Sequence, residues 1–408
     1  MTVVVQTSAS LLLSKGQHRT CFRNARGLKY YYSFYYDTAN SELRYETSAG
    51  GVTWGSAAAV TTDDPDCFDV KYHNDGSQME VWVVWHTGGT IKYRAGTVAD
   101  AASAITWAGA AQTIDGSIED TLAGAHCIAI ARTDNDEMVV AFTEDDTIKG
   151  KDYRFTKLIG SNGSGAAPTW SGEATWDNPS GSSNNQNKDQ VWFGLESFSS
   201  SYGDRTFIFA RVPLASTTDY QLMTAAPNWD QGGAGFTNTT QASWYTGSGG
   251  VTICGLIDEA DKVHFVYRRT NQLIHRLGAT AGDDDLGTET AIISSGASSD
   301  PATISLDTGP ATDLLYVFYK RSNTLDWYYR STPVDTISFS AEKTVSYHQN
   351  ITALSSWNRQ IENSLHIAGL YGTTVIYNEQ PVYLGTLSTT LADLKFPAQN
   401  YYIGPHST

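Results

Sequence analysis

The stretch from Leu28 to Val60 reads LKYYYSFYYDTANSELRYETSAGGVTWGSAAAV and predicts three β-strands joined by two tight turns. Aromatic residues crowd Tyr30 to Tyr36, a run too short for a helix, which favours a strand covered on both faces. Glu42 to Ser48 alternates apolar and charged residues, the period of two expected when one face packs and the other meets water. A third strand begins at Val52 to Trp54, after two glycines. Three short strands in succession predict a small antiparallel sheet.

The same order of signals returns six more times along the chain. The apolar segments that correspond to Tyr30–Tyr36 are counted as the second strand of each repeated unit, after a shorter innermost strand. They begin at Tyr30, Val81, Met138, Thr206, Val263, Leu314 and Leu365, which are 51, 57, 68, 57, 51 and 51 residues apart. The strands that follow them begin at Glu42, Thr90, Thr147, Asp219, Gln272, Thr324 and Thr373. Four outer strands share an aromatic end, at Trp54, Trp107, Trp170 and Phe339. An internal period of this length is typical of a radial array of small sheets.

The repeat predicts an all-β protein, a seven-bladed β-propeller of four-stranded antiparallel blades. A linear β-solenoid fits less well, because its rungs are shorter. Residues 1–390 are predicted to form one propeller domain, with Thr2 to Gln6 or Pro381 to Leu387 completing the last blade. The N-terminal strand is favoured, because it leaves no open sheet edge. The polar loop from Asp177 to Asn187 is predicted to be either mobile or held by a partner. The aromatic tail 391–408 is predicted to pack on the ring or on another subunit.

Charge and composition exclude several classes of function. The net charge is −16, which leaves no obvious source for the phosphate neutralisation that dominates nucleic-acid binding. Anionic membrane surfaces should also be repelled. No apolar run is long enough to span a bilayer, and the N-terminal residues lack the basic segment of a signal peptide. We therefore expect neither nucleic acid nor membrane insertion.

The cysteine and histidine spacing predicts no metal or cofactor site. Cys21, Cys67, Cys127 and Cys254 each fall on a predicted innermost strand, where a buried free thiol fits well. A bridge between Cys21 and Cys67 remains an alternative. The acidic clusters near Asp63, Asp134 and Asp283 do not follow the spacing of a calcium loop, and are interpreted as solvated turns.

The segment Thr47 to Trp54, TSAGGVTW, resembles the Asp-box or BNR repeat of sialidase-like propellers at Thr47, Gly51, Thr53 and Trp54. Ala49 stands where the repeat has its aspartate. Phe22-Arg23 is similar to the start of the sialidase Phe/Tyr-Arg-Ile-Pro segment, although Asn24 and Ala25 replace Ile-Pro. The resemblance implies a propeller fold. For activity it implies an arginine cluster, a tyrosine nucleophile with a glutamate base, and an aspartic acid.

In such an enzyme, Arg23, Arg211, Arg268 and Arg269 are the candidates for the arginine cluster, Tyr319 or Tyr371 for the nucleophile, and Asp63 or Asp64 for the acid. A polysaccharide lyase of this style would use His and Tyr, for which His86 and His275 are the nearest candidates. If the protein is a sialidase-like enzyme, we expect arginines beside a Tyr-Glu pair. If it binds glycans without cleaving them, we expect exposed aromatic rings instead.

The ends of the second strands are predicted to converge around one mouth of the channel, where aromatic, charged and planar groups suit sugar binding. The predicted ligand-binding residues are Asp37, Trp85, His86, Arg211, Tyr267, Arg268, Arg269, Tyr319, Lys320 and Arg321. Ordinary strand ends of a β protein would show the same residue types.

The acidic, degenerate repeat also resembles propellers of tailed-phage virions, such as tail-fibre, receptor-binding or capsid-decoration proteins. This resemblance implies a non-enzymatic binding or structural protein on a virion or extracellular surface, with cell-surface glycan and other virion or assembly proteins as partners. The alternatives are a sialidase-like glycoside hydrolase or polysaccharide lyase, and a purely structural assembly protein.

Overall fold

A computed structural model gives the fold, and none of the residues that it describes is helical. The described residues are 2–6, 9–10, 22–23, 30–49, 53–55, 57–74, 79–98, 103–116, 128–132, 138–146, 150–159, 169–170, 174–176, 206–213, 218–225, 236–237, 253–258, 260, 262–277, 288–298, 303–307, 313–345, 351–356, 359–360, 364–371 and 374–381. In this part of the chain, no helix has the length and apolar character that a membrane span requires.

The described strands form seven sheets, which we number along the chain by their central hairpins. Sheet 1 contains β2 (Ala9–Ser10), β3 (Phe22–Arg23), β4 (Tyr31–Asp37), β5 (Glu42–Ser48) and β6 (Ala58–Thr61). Sheet 2 contains β7 (Cys67–Asn74), β8 (Met79–Thr87), β9 (Thr90–Val98), β10 (Thr106–Trp107) and β11 (Gln112–Asp115). Sheet 3 contains β12 (Ile128–Arg132), β13 (Met138–Asp146), β14 (Gly150–Ile159), β15 (Thr169–Trp170) and β16 (Ala174–Trp176). Sheet 4 contains β17 (Thr206–Pro213), β18 (Thr218–Ala225) and β19 (Phe236–Thr237).

The remaining sheets follow the same plan. Sheet 5 contains β20 (Ile253–Ile257), β21 (Val263–Arg269), β22 (Gln272–Leu277) and β23 (Thr290–Ile293). Sheet 6 contains β24 (Thr303–Asp307), β25 (Leu314–Lys320), β26 (Trp327–Pro333) and β27 (Lys343–Thr344), with β29 (Arg359–Gln360) parallel to β24. Sheet 7 contains β28 (Ile351–Ser356), β30 (Ser364–Tyr371), β31 (Thr374–Pro381) and β1 (Thr2–Gln6).

The first and the last described strands, β1 and β31, lie side by side in sheet 7. Strand β1 pairs antiparallel with β31, in a register that places Thr2 opposite Asn378 and Val4 opposite Ile376. Strand β2, which continues the N-terminal segment into sheet 1, also lies against β31. The N-terminal segment thus connects the last sheet to the first.

The apolar core lies between neighbouring sheets. One cluster joins sheets 1 and 2 and includes Phe34, Tyr45 and Trp85, and another of similar kind joins sheets 5 and 6. Polar contacts cross the first interface too, since the Tyr45 hydroxyl accepts a hydrogen bond from the Ile105 amide at 3.0 Å. Arg94 donates to the Val60 carbonyl across the same interface at 2.6 Å. Strand β4 is therefore covered on both faces, as the sequence predicted for Tyr30 to Tyr36.

The prediction of the outer strands was partly wrong. Thr53 and Trp54 do not lie in a strand, and the outer strand of sheet 1 is β6, which begins at Ala58. In sheet 6, Phe339 likewise precedes the outer strand β27. The motif instead closes the connection that leads to the outer strand, where the Gly55 amide donates to the Thr47 carbonyl at 2.8 Å.

Candidate functional site

The turns between the second and third strands define one face of the sheets, which we call the upper face. The predicted ligand-binding residues belong to this face, because they end the second strands β4, β8, β17, β21 and β25. The backbone of Arg211 lies at the corresponding end of β17. The side chains of Arg23, Arg211 and Tyr371 lie outside the described part of the structure.

Three of the predicted aromatic residues are buried. Trp85, Tyr267 and Tyr319 pack in the interfaces between sheets, with 0%, 0% and 2% of their surfaces exposed. The Trp85 indole donates to an Asp63 carboxylate oxygen at 3.0 Å, and Lys92 binds the same oxygen at 3.0 Å. These rings therefore stabilise the sheet interfaces and do not provide open platforms for a sugar.

Asp37 also has a local structural role. Its carboxylate accepts hydrogen bonds from the backbone amides of Ala39 and Asn40, at 3.0 and 3.3 Å, and lies 3.4 Å from Arg44. Such bonds to the residues that follow are the usual means by which an aspartate fixes a turn. Asp37 thus holds the turn between β4 and β5.

His86 lies beside an acidic loop of the upper face. Its Nδ1 is 2.9 Å from the Asp66 carboxylate, and the imidazole is buried while the Asp66 side chain is 51% exposed. The Tyr36 hydroxyl donates to Asp64 in the same loop. A histidine and a tyrosine are therefore held on one loop between sheets 1 and 2.

The sheet 5 hairpin contains a Tyr-Glu pair with two arginines. The Tyr267 hydroxyl donates to Glu289 at 2.5 Å, and Arg269 and Arg276 each bind the Glu289 carboxylate at 2.8 Å. Burial by itself would raise the pKa of Glu289, but the bonds from Tyr267 and Arg276, with the two arginine charges, outweigh it and lower the pKa. Burial and the contact with Glu289 raise the pKa of Tyr267.

Sheet 6 repeats this arrangement at equivalent positions. The Tyr319 hydroxyl donates to Glu342 at 2.7 Å, and the Arg321 Nε lies 2.9 Å from the same carboxylate. In both sheets the tyrosine ends the buried part of the second strand, the arginine follows two residues later, and the glutamate precedes the outer strand. We call this repeated unit the Tyr-Glu-Arg clamp.

The clamp does not suit the chemistry of a tyrosine nucleophile. A nucleophile has to be reachable and activated by a base, yet both tyrosine rings are buried and their pKa values are raised, first by burial and then by the glutamate. In sheet 5 the glutamate is held ionised by two arginines, which weakens it as a base. The occurrence of the same unit in two sheets favours a structural role in fixing the outer strand.

Arg268 and Lys320 differ from the clamp residues. Each follows a clamp tyrosine directly, and both side chains are half-buried at the upper face. The turn after Lys320 also contains Leu325, a large apolar residue that is 54% exposed. Together with Arg269 and Arg321, these residues give the hairpins of sheets 5 and 6 four partly exposed basic groups, with Asp326 in the second turn.

One short loop joins the two basic hairpins. The Ala297 amide donates to the Asn271 carbonyl at 2.8 Å, and the Ser298 amide donates to the Lys320 carbonyl at 2.9 Å. The Ser322 amide donates to the Gly296 carbonyl at 2.9 Å, where Gly296 adopts a φ of 77°. These bonds fix the two turns relative to each other on the upper face.

Charge is unevenly distributed over the described upper face. The turns of sheets 1 and 2 contain five carboxylates: Asp37, Glu42, Asp63, Asp64 and Asp66. The basic groups near them are Arg44, which binds Glu42 at 2.7 Å, and Lys92, which binds Asp63. The hairpins of sheets 5 and 6 thus contain basic groups, whereas the corresponding loops of sheets 1 and 2 are rich in carboxylates, in a chain whose net charge is −16.

A buried polar chain in sheet 5 was not predicted as a unit. His264 Nδ1 lies 3.1 Å from His275 Nε2, and His264 Nε2 lies 3.2 Å from the Asp258 carboxylate. All three side chains are buried, and burial and the neighbouring His264 lower the pKa of His275 well below 6.5. The sequence signal that could have revealed this chain is the register of the hairpin. A two-residue turn at Thr270-Asn271 makes His264 and His275 diagonal neighbours on adjacent strands. Since His275 is buried, it is not placed to meet a polysaccharide.

No group of three or more His, Cys, Asp or Glu side chains within the described residues is arranged to hold a metal ion. Cys67 and Cys254 are buried, as predicted from their positions on innermost strands. Burial raises the pKa of the Cys254 thiol.

Comparison with known proteins identifies the fold. No protein-family model matches the sequence, and no curated protein is significantly similar to it. A PL25 ulvan lyase, solved with an oligosaccharide of glucuronate and sulfated rhamnose, has 10% identity and a TM-score of 0.56, over 92% of this chain and 94% of its own. The polysaccharide lyase Uly1 has 8% identity and a TM-score of 0.50, over 90% of each chain.

The NanB sialidase from Streptococcus pneumoniae has 8% identity and a TM-score of 0.45, over 93% of this chain and 70% of its own, and this score is too low to support an argument. The phage setting predicted from sequence style finds no support among these neighbours. Identities this low show the fold alone, so function has to be argued from the residues of this chain. In the residues that the structure describes, the chain has an all-β fold of the propeller type, built from mainly antiparallel sheets of three to five strands.

Proposed function

We propose that the protein is a seven-bladed β-propeller that binds an acidic polysaccharide on the upper face of sheets 5 and 6. The observation that carries this proposal is the group of four partly exposed basic residues Arg268, Arg269, Lys320 and Arg321, held on one face by the loop 294–298. Carboxylate and sulfate groups are the ligands that guanidinium and ammonium donors bind best.

The seven-bladed ring is supported by the topology. The described strands form seven sheets, and the inner strands of sheets 2 and 3, 5 and 6, and 6 and 7 lie against one another. The second strand β17 of sheet 4 lies against the inner strand of sheet 5. The pairing of β1 with β31 joins the N-terminal segment to the last sheet, which suits residues 1–390 as one domain. The tail 391–408 and the loop 177–187 lie outside the described residues.

The net charge of −16 does not prevent binding at this region. At physiological ionic strength the Debye length is about 8 Å, so a bound anion experiences mainly the charges within that distance. The carboxylates of sheets 1 and 2 then lower the association rate of an anionic ligand more than they weaken its affinity once it is bound. They also leave sheets 5 and 6 as the favoured contact for a polyanion.

A glycan array with the purified protein tests the proposal, with hyaluronan, polygalacturonate and neutral dextran as defined polymers. We expect binding to acidic polymers and not to dextran, and a loss of roughly tenfold in affinity for the double variant R268A/K320A. Lys343→Ala is the matched control, because it removes an exposed cation from the outer strand of sheet 6. Equal binding of dextran, or no effect of the double variant, would contradict the proposal.

Cleavage of the bound polysaccharide is a second candidate function. It is favoured by the half-buried Tyr36, whose hydroxyl donates to Asp64 on a loop of the upper face, and by the fold similarity to polysaccharide lyases. A lyase needs an acid or a base near the scissile bond, and a tyrosine hydroxyl can serve as one, whereas the neighbouring His86 imidazole is buried. Release of unsaturated products, followed by absorbance in the ultraviolet, should then occur with the wild type and be abolished in Tyr36→Phe. Wild-type protein that binds acidic polymers without releasing such products would restrict the function to recognition.

A further inference from the structure

The two buried histidines of sheet 5 lie on the face that packs against sheet 6. His264 and Val266 share this face of β21, and His275 lies opposite Val266 on β22. The Phe339 ring of sheet 6 packs edge-on against the His275 imidazole, with 5.6 Å between the ring centres. Phe339 lies in the connection 334–342, between β26 and β27, which we call the covering segment. The covering segment therefore closes over the histidine pair.

The hydrogen bonds of the buried chain assign a proton to each contact. Asp258 Oδ1 accepts the backbone amides of Ala260 and Lys262, at 2.9 and 2.8 Å. Asp258 Oδ2 lies 3.2 Å from His264 Nε2, so this nitrogen carries a hydrogen and donates it. A neutral His264 then has a bare Nδ1, which accepts the Nε2 hydrogen of His275 at 3.1 Å. His275 Nδ1 is left without a hydrogen, and it is buried without a hydrogen-bond partner.

This chain has no place for a further proton. A proton on His275 Nδ1 would create a buried cation whose N–H group has no acceptor, and a buried donor of this kind is costly. Burial and the neighbouring His264 accordingly lower the pKa of His275 well below 6.5. An imidazole in water takes up its proton near pH 6.5. Acid therefore favours an arrangement in which His275 meets water.

Other charged and titratable groups line the same interface between sheets 5 and 6. They are Asp258, Lys262 and Arg268 from sheet 5, and Tyr319, Arg321, Tyr328, Arg330, Asp335 and Glu342 from sheet 6. None of them is hydrogen-bonded to His275 Nδ1, since this nitrogen has no partner. A charge on His275 would thus have no direct contact to offset it in the closed arrangement.

The covering segment is hydrogen-bonded to its own sheet. The Ser338 amide donates to Thr332 Oγ1 at 2.7 Å, and the Ser340 amide donates to the Ser331 carbonyl at 2.8 Å. Toward sheet 5, the segment makes the Phe339 contact and an ion pair of Asp335 with Lys262 at 3.6 Å, in which the Asp335 side chain is 75% exposed. So exposed an ion pair contributes little to stability. The segment can therefore separate from His275 at a lower cost than the central strands can unfold.

We propose that the covering segment and the Asp258-His264-His275 chain form an acid-sensitive latch between sheets 5 and 6. Near neutral pH, each of the two short contacts of the chain contains one hydrogen, and the segment closes over His275. Below about pH 6.5, His275 takes up a proton when the segment moves away, and hydration of the cation favours the open arrangement. The latch does not depend on which ligand the upper face binds.

Amide hydrogen exchange of the full chain, followed by mass spectrometry and corrected for the intrinsic exchange rate, tests the latch. Uptake of one proton with an open-state pKa of about 6.5 raises the opening constant roughly tenfold between about pH 7.5 and about pH 5.5. We therefore expect the protection of the peptide that contains Ser338 and Ser340 to fall about tenfold. The internal control is the equivalent connection of sheet 2, where the Ala108 amide donates to the Ala95 carbonyl at 3.0 Å. Its protection should stay constant.

His275→Gln is the decisive variant, because its side-chain amide can still donate to His264 Nδ1 but takes up no proton in this range. The tenfold difference should disappear in this variant. Asp335→Asn is the matched control, since it removes a charge from the covering segment and leaves His275 in place, and it should keep the difference. Phe339→Leu should lower the protection of the segment at both pH values and also keep the difference, which tests the cover independently of the histidines.

Three results would overturn the latch. If protection fell equally in the covering segment and in the connection of sheet 2, acid would act by unfolding the whole protein and not by local opening. If the difference persisted in His275→Gln, another group would be responsible for it. If the wild-type segment had the same protection at both pH values, proton uptake by His275 would not be coupled to its movement.

Discussion

Thr270 shows how one residue at the candidate site departs from local backbone preference. It occupies the turn of the basic hairpin in sheet 5 with a φ of 53°, a region that β-branched residues rarely adopt. The corresponding turn in sheet 2 uses Gly88 and Gly89, with φ values of 51° and 73°. Strained residues of this kind are found preferentially at functional sites, which agrees with the position of Thr270 next to Arg269.

Thr270→Gly should raise the free energy of unfolding by about 0.5–1 kcal/mol, because the strain that is relieved exceeds the extra chain entropy of glycine. Urea denaturation of the wild type and the variant measures the difference. Ser322→Gly is the control, since Ser322 is exposed in the equivalent turn of sheet 6 and does not have a positive φ. A stability loss in both variants would mean that Thr270 is not strained.

At the scale of the element, the Tyr-Glu-Arg clamp explains why the outer strands stay in place. These strands are short, and β27 consists of Lys343–Thr344 alone. The residue just before it, Glu342, is bound by Tyr319 and Arg321 from the second strand and its turn, so side-chain bonds cross the third strand to reach the outer one. The same crossing connects Tyr267 and Arg269 to Glu289.

Tyr319→Phe should lower the free energy of unfolding by roughly 1–2 kcal/mol, because a buried hydroxyl that donates to a carboxylate is lost. Tyr267→Phe should have a similar effect in sheet 5. Thermal and urea denaturation provide the measurement, with Tyr328→Phe as a control in a half-buried ring of sheet 6. If turnover of a sialoside were found and Tyr319→Phe abolished it at unchanged stability, Tyr319 would be a nucleophile after all.

The buried Asp258-His264-His275 chain predicts a pH dependence of stability. Burial and His264 lower the pKa of His275 well below 6.5, so the folded protein keeps this imidazole neutral while the unfolded chain protonates it below pH 6.5. The unfolded state then binds more protons, and stability falls as the pH falls, by up to about 1.4 kcal/mol per pH unit. Protonation of Asp258 also lowers the stability, but only below pH 3.8, because the pKa of Asp258 in the folded protein is lowered from that value.

His275→Gln should flatten this dependence between pH 6.5 and the lowered pKa of His275, and urea denaturation at several pH values measures the slope. Charged groups near the chain include Lys262 and Asp335, whose ion pair of 3.6 Å connects sheets 5 and 6. An unchanged slope in the variant would assign the dependence to other groups.

For the whole molecule, the pairing of β1 with β31 links the last described sheet to the first. Antiparallel backbone hydrogen bonds to the N-terminal strand satisfy the edge of sheet 7 that would otherwise be open. The same N-terminal segment continues into β2 of sheet 1. This link therefore depends on a few residues of the N-terminal segment.

Deletion of residues 1–6 should lower the thermal midpoint by several degrees and increase proteolysis of sheet 7, because its edge strand is lost. Scanning fluorimetry and limited proteolysis measure both effects. Removal of Met1 alone is the control, since β1 begins at Thr2. If the truncated protein had the same thermal midpoint as the full-length protein, the stability of the fold would not depend on this strand.

The pattern of residues along the chain predicts the all-β class and the position of most second strands. Alternating and aromatic runs such as Tyr31–Asp37 indicate which residues of a strand are buried, and the folded protein shows the same burial there. The prediction of strands was wrong at Trp54 and Phe339, where the aromatic residue lies in the connection before the outer strand. Which residues pair as strands depends on segments far apart in the chain, and a local pattern does not contain that information.

The roles of the candidate residues follow instead from contacts between sheets. Trp85, Tyr267 and Tyr319 end their strands like residues of an open mouth, but neighbouring sheets cover them, and which side chain is covered depends on contacts between segments far apart in the chain. The pairing of Glu289 and Glu342 with these tyrosines has the same origin. Local periodicity predicts which residues form strands, whereas partner identity and exposure follow from how the sheets pack.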